Sequence, residues 1–329
     1  MDKISSGTGH LFSDPNVSAA REFFKNKSRA MTDKRMSVAQ AVTNLIHDGD
    51  YLASGGFGSV RIATAVLHEI VRQRKTRLGF SGHTATHDFQ ILAAGRCFDR
   101  CDAAYIVGLE VRGLSPNARR YIESGAVQVT EWSNATLGWR YKAAAMGVPF
   151  LPATSLMGTD TFKYSGAKEI ACPFTGQKLI AVPALFPDVG IIHVHRADIY
   201  GNAQVDGISI ADWDMARASK RLIITTEHIV STDEIRQEPS KTLTPYWLAD
   251  AVCHVPYGSY PCNMPYEYFS DEEHLMEWMD AEKTPATLDT FLNKYIYGTR
   301  DFAEYLELKG GAARMAELRA LEPLRRRGD

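Results

Sequence analysis

The sequence lacks any run of 18 or more apolar residues, which argues against a membrane-spanning helix. Its most hydrophobic stretch, Leu179 to His195, is interrupted by Pro183, Pro187 and Asp188 and reads as two strands. Strong charge of either sign is also missing. The formal net charge is −2, so neither nucleic acid nor an acidic membrane is expected as a partner. Cysteine is sparse: five residues at positions 97, 101, 172, 253 and 262. An odd, scattered set suits free thiols in a reducing cytoplasm rather than a disulfide framework. The first fifteen residues have no apolar core for secretion, and their acidic residues argue against a transit peptide, so the expected location is cytoplasmic.

What is present is the balance of a globular protein that can bury a sizeable core: 45% hydrophobic and 23% charged residues over 329 positions. Residues 1–34 are polar and read as an extension on the surface or on a partner, with Phe23 and Phe24 as anchors. Residues 35–269 alternate strands with helices. Helices are expected over Ser37–Ile46, Arg61–Arg74, Asp88–Ala94, Asn117–Ser124, Thr136–Met146 and Trp213–Ser219. Strands are expected at Tyr51–Ser54, Leu78–Phe80, Asp102–Val107, Val127–Thr130, Leu179–Val182, Val189–His195, Leu222–Glu227 and Ala251–Val255. That alternation predicts an α/β fold with an open, largely parallel sheet flanked by helices. Residues 270–329 predict a helical appendage on the same domain.

The strongest local feature is Gly55-Gly56-Phe57-Gly58 between a strand and a helix. Glycines there permit a tight turn and close approach of backbone amides to a ligand, while a helix start adds unsatisfied N–H groups. Such a loop suits a phosphate or a transient oxyanion. A turn needed only for chain reversal is the plainer alternative. The loop lacks the lysine of a Walker motif and the last glycine of a dinucleotide fingerprint. Arg61, opening the next helix, is a candidate for a phosphate or substrate carboxylate.

Asp48 to Phe57 resembles the N-terminal signature of the class I, glutaconate-type CoA-transferases: Asp-Gly, two variable residues, three mostly apolar residues, then Gly-Gly-Phe. Ser54 stands where an apolar residue is usual, and Ile62-Ala63 replaces a common proline. The resemblance, to the α-type (A) subunit, extends to Ser124-Gly125, Ala143 to Pro152, His193 to Asn202, Asp233 to Arg236 and Val255 to Pro261. It implies a heteromer, a heterodimer or heterotetramer with a β-type subunit. Such an enzyme moves CoA between an acyl-CoA and a carboxylic or dicarboxylic acid, with the CoA thioester as substrate and no bound cofactor. It also implies that the catalytic glutamate, which carries CoA as an enzyme thioester, lies on the β-type subunit. The comparable strand end here, Gly79-Phe80-Ser81-Gly82-His83, has no carboxylate.

Gly55, Gly56, Phe57, Gly58, Arg61, Ser81, Gly82 and His83 are accordingly the candidate substrate and CoA-binding residues. His87 and Asp88 are further contacts, unless Asp88 simply begins a helix. Glu131 ends a strand, where open α/β sheets place ligands, and is the candidate catalytic residue. The resemblance implies that ring-opening hydrolases of this fold use an acidic residue near this point as a base; capping the next helix is the structural alternative. Glu110 is a weak nucleophile candidate, more simply a partner of Arg112. His193 and His195 share a strand face but are too few for a catalytic zinc, Asp198 reads as a turn residue, and Cys97 with Cys101 lacks a second pair, so no metal is expected. Alternatives to the transferase are a hydrolase or C–C-cleaving enzyme on a CoA thioester, a decarboxylase of the same fold, and a non-catalytic binding subunit.

Overall fold

Continuous apolar runs such as Val189–Ile192 and Leu222–Ile224 fit strands covered on both faces. The computed structural model, which describes residues 5–106 and 112–326, puts them at the centre of a nine-stranded sheet. Among the described residues the strands are β1 (Tyr51–Ser54), β2 (Leu78–Gly82), β3 (Phe98–Ala103), β4 (Gln128–Glu131), β5 (Phe150–Ala153) and β6 (Lys168–Ala171). There follow β7 (Lys178–Pro183), β8 (Val189–Ala197), β9 (Ala203–Gln204), β10 (Arg221–Ile229), β11 (Thr242–Thr244) and β12 (Ala251–His254). The parallel part runs β4-β3-β2-β1-β8-β10-β12. β9 and β11 extend the carboxyl end of β8 antiparallel, while β5, β7 and β6 form a separate antiparallel sheet.

The pleat divides the core. Leu52 of β1 packs with Ile191, Ile223 and the helices Thr64–Arg72 and His87–Ala94 on one face. Its neighbours Tyr51 and Ala53 face Leu137, Tyr141, Ile192 and Met215 on the other. Trp278, Phe291 and Tyr305 of the C-terminal helices join the first core, against Val66 and Ile70. β2, β3 and β4 lie on one side of β1, and β8, β10 and β12 on the other. The strand order therefore reverses between β1 and β8, the position where such sheets form a crevice at their carboxyl ends.

One strand differs from its expected position. The third strand is Phe98–Ala103, four residues before the expected start at Asp102. Its polar Asp99 and Arg100 mask it in the sequence, and Asp102 is tolerated inside because Tyr51, Trp132 and Arg140 all bond to its carboxylate. The N-terminal extension lies on its own domain. Val17–Asn26 is a helix capped by Asn16, Phe24 packs near Ala143 and Phe186, and Phe23 stays exposed. Lys27 anchors it through Asp250 at 2.6 Å and the carbonyls of Lys220 and Leu248.

The C-terminal tail returns to the carboxyl end of the sheet, where Arg326 bonds Asp206 at 2.9 Å and Glu267 at 2.5 Å. Burial pushes the Glu267 carboxyl up, but hydrogen bonds from His228 and Arg326 outweigh it and hold it at about 2. A depressed carboxylate contributes stability above its unfolded value, here 4.5, and that contribution disappears as pH falls toward about 2. Arg326→Ala is expected to cost about 1.5 kcal/mol at neutral pH. In thermal melts its difference from the parent should shrink through that acid window; a constant difference would contradict the pairing.

Candidate functional site

β1 ends at Ser54, and the chain then turns tightly against β8. A Cβ on Gly55 would lie 2.8 Å from Ile192 Cγ2, and one on Gly56, at φ +88°, 2.5 Å from the carbonyl oxygen of Val60. Phe57 and Val60 exchange backbone bonds of 3.0 and 2.9 Å to close the turn. These glycines therefore make room for the chain itself.

The loop amides have partners other than the expected ligand. Gly55 N–H donates to Ile191 O, Gly58 N–H to Thr84 O, and Gly56 N–H to Asp212 Oδ1 at 2.9 Å. An anion does sit in the turn, but it is the protein's own. Arg61 is likewise turned inward, 1% exposed, at 2.5 Å from Asp212 Oδ2 and 2.9 Å from Ile208 O. The next helix starts at Thr64, not Arg61, and Ala65 N–H donates to Gly258 O. A buried assembly holds that capping turn: Glu227 accepts from Tyr257 N–H and Tyr268 O–H and lies 2.6 Å from His193.

Ser81 and Gly82 are also internal. The Ser81 hydroxyl accepts from Tyr141 O–H at 2.7 Å, and a Cβ on Gly82 would meet Ala85 and Asp88 at 2.9 Å. Asp88 is buried at the start of its helix. Burial pushes its carboxyl up to about 6, against hydrogen bonds from Ser54 and from the amides of Phe89 and Thr86. His87 packs edge-on against Trp278, and burial pushes it down to about 3.

Of the expected substrate- and CoA-binding residues, Phe57 and His83 remain accessible. Their rings lie 5.3 Å apart and both are half-buried. His83 Nε2 is 2.9 Å from the Asn134 carbonyl, which fixes the proton on Nε2 and leaves Nδ1 as an acceptor. Burial lowers the imidazole pKa, so the ring is neutral. Nδ1 is buried without a partner among the described residues, and so is Asn134 Oδ1.

Glu131 ends β4, exposed and with no hydrogen bond or ion pair among the described residues. It does not cap the next helix: Ser133 does, accepting from Thr136 N–H. Three strand spacings, about 14 Å, separate β4 from β1. Asn134 bridges part of that gap by donating to Thr84 Oγ1 at 2.9 Å. Glu110 lies outside the described residues, and Arg112 pairs with Glu272 at 2.7 Å.

His193 and His195 are buried as one face of β8, each bonded internally; His195 lies 2.7 Å from Pro265 O and accepts from Asp206 N–H. Asp198 closes its turn by accepting from the amides of Tyr200 and Asn202. Among the described residues no group of three or more His, Cys, Asp or Glu is arranged to hold a metal ion. Asp212 and Asn134 carry no signal in the sequence because their partners lie 151 and 50 residues away.

Residues 35–254 match the family model for coenzyme A transferase. The chain belongs to that family. It is 32% identical to the A-type subunit of glutaconate CoA-transferase from Acidaminococcus fermentans, over 88% of this chain and 96% of that one. The crystal structure of that organism's glutaconate coenzyme A-transferase matches with a TM-score of 0.83, covering 87% and 95% of the two chains. The A-type subunit of 3-oxoadipate CoA-transferase from Pseudomonas knackmussii is 34% identical over 82% of this chain and 96% of its own. The decarboxylase AibA/AibB matches in structure at a TM-score of 0.71 and 28% identity, over 80% of this chain and all of that one. Within this family's sheet, the β1 loop, Phe57 and His83 stand at the carboxyl ends of adjacent strands.

Proposed function

We propose that this chain is the A-type subunit of a heteromeric CoA-transferase, which moves CoA between an acyl-CoA and a carboxylic acid. The observation that carries this reading is the state of the carboxylates at the loop. Asp88 and Asp212 are buried and bonded, so neither can attack a thioester. A β-type subunit supplies the nucleophilic glutamate, which attacks the acyl-CoA and then holds CoA as an enzyme thioester. This chain's contribution is a rigid floor. Phe57 offers an apolar wall, and the neutral, half-buried His83 ring beside it continues the surface that meets CoA. The partner covers the face beside Arg61, where Ile208 and Trp213 are 76% and 44% exposed.

The acyl-CoA is the substrate and no bound cofactor is required. The complex is a heterodimer or a dimer of heterodimers in the reducing cytoplasm, where the five cysteines, all free here, stay as thiols. No helix among the described residues is long and apolar enough to cross a membrane.

One observation favours a second reading, hydrolysis or decarboxylation of a CoA thioester: Glu131 is free and exposed at a strand end, the position of a general base. Glu131→Gln in the reconstituted complex separates the two. The transferase reading expects less than about tenfold loss in steady-state rate, whereas a general base would cost about 10²–10⁴-fold. A loss in that higher range, with assembly intact, transfers the assignment to the second reading.

A further inference from the structure

A cavity of about 520 Å³ lies between the N-terminal helix Val17–Asn26 and the end of the helix Asn134–Met146. Arg21, Lys25, Arg29 and Arg217 line it, together with the rings of Phe24 and Trp247. No acidic side chain occurs among its described lining residues. Arg21 and Arg29 have neither ion pair nor hydrogen bond among the described residues, and Lys25 meets only Glu22, at 4.0 Å in solvent. Arg217 donates to the carbonyls of Trp213 and Leu243 and stacks 3.5 Å over the Trp213 ring, with no bond to a carboxylate. Lys27, the fifth cation of the lining, is paired with Asp250 at 2.6 Å, and the end of the Asn134–Met146 helix contributes about half a negative charge, too little to balance the other four. The volume falls in the range of small-molecule sites and is several times what one phosphate fills.

We infer that this cavity binds a phosphorylated nucleotide, its phosphates on the arginines and its base against Phe24 and Trp247. The thirteen-residue helix Asn134–Met146 starts beside His83 and ends at the cavity, placing the two sites about 20 Å apart. The inference therefore does not depend on the transferase reading. Two sources share the required chemistry: a free nucleotide, and the phosphorylated adenosine end of CoA.

The test is calorimetric titration of the full-length chain with ADP, adenosine, inorganic pyrophosphate and CoA, repeated on Arg21→Glu/Arg29→Glu. Both side chains are exposed and unpartnered, so the double variant should fold, which circular dichroism checks. ADP is expected to bind at submillimolar affinity and more weakly as salt rises, with adenosine and pyrophosphate each at least about tenfold weaker. The double variant should lose at least about tenfold for ADP. An equal loss for CoA assigns the site to the nucleotide end of CoA, while unchanged CoA binding assigns it to free nucleotides. No heat with millimolar ADP, or ADP binding untouched by the variant, overturns the inference.

Discussion

Asp212→Ala is expected to destabilise the chain by about 3–5 kcal/mol, the usual effect of leaving one partner of a buried ion pair alone. Asp212 and Arg61 are each 1% exposed and 2.5 Å apart, and the same carboxylate accepts from Gly56 N–H. Without it a guanidinium and an amide lose their acceptor where water does not reach. Arg61 Nε already has no partner among the described residues, so the guanidinium would keep only its bond to the Ile208 carbonyl. Replacing both residues by apolar side chains of similar size, Arg61→Met with Asp212→Leu, should recover most of the loss, because no charge is then stranded. Urea midpoints of the parent, single and double variants measure this. A single-variant loss below about 1 kcal/mol would place the charge in a wetter setting than the distances indicate.

Gly56→Val should reduce turnover of the assembled enzyme by about 10² or more, since a displacement near 1 Å at a reacting site has that cost. The residue sits at φ +88°, where a branched side chain is strained, and its Cβ would press on the carbonyl oxygens of Val60 at 2.5 Å and Arg61 at 2.9 Å. Backbone cannot step aside as a side-chain tip can, so the turn itself must move, carrying Phe57 with it. The substitution should also cost about 2–4 kcal/mol of stability through left-handed backbone strain and overpacking. Turnover near that of the parent, with the partner bound, would reduce the loop to a passive connection.

The central sheet is legible in the sequence because β1, β8, β10 and β12 are apolar runs that need cover on both faces. β3 is harder to place because Asp102 looks like a strand start, while its partners Tyr51 and Arg140 are 51 and 38 residues distant. In the small sheet β7 is legible as Leu179–Val182, whereas β5 and β6 give little signal, since residues such as Lys168 and Ala171 are exposed. Phe57 and His83 can be named from the sequence because they adjoin glycine turns. That the loop amides are occupied cannot be, because Asp212 approaches from a distant helix and only the folded chain brings it to Gly56.

The most direct test of this division of labour is to incubate the purified chain with an acyl-CoA, alone and after reconstitution with its β-type partner. Any enzyme-bound thioester is then trapped with borohydride or hydroxylamine and located by mass spectrometry. The chain alone should be folded and carry no adduct, because its described carboxylates at the loop are buried and bonded. After reconstitution one adduct per active site should appear on a glutamate of the partner. A stoichiometric adduct on Glu110 or Glu131 of the isolated chain would contradict the account.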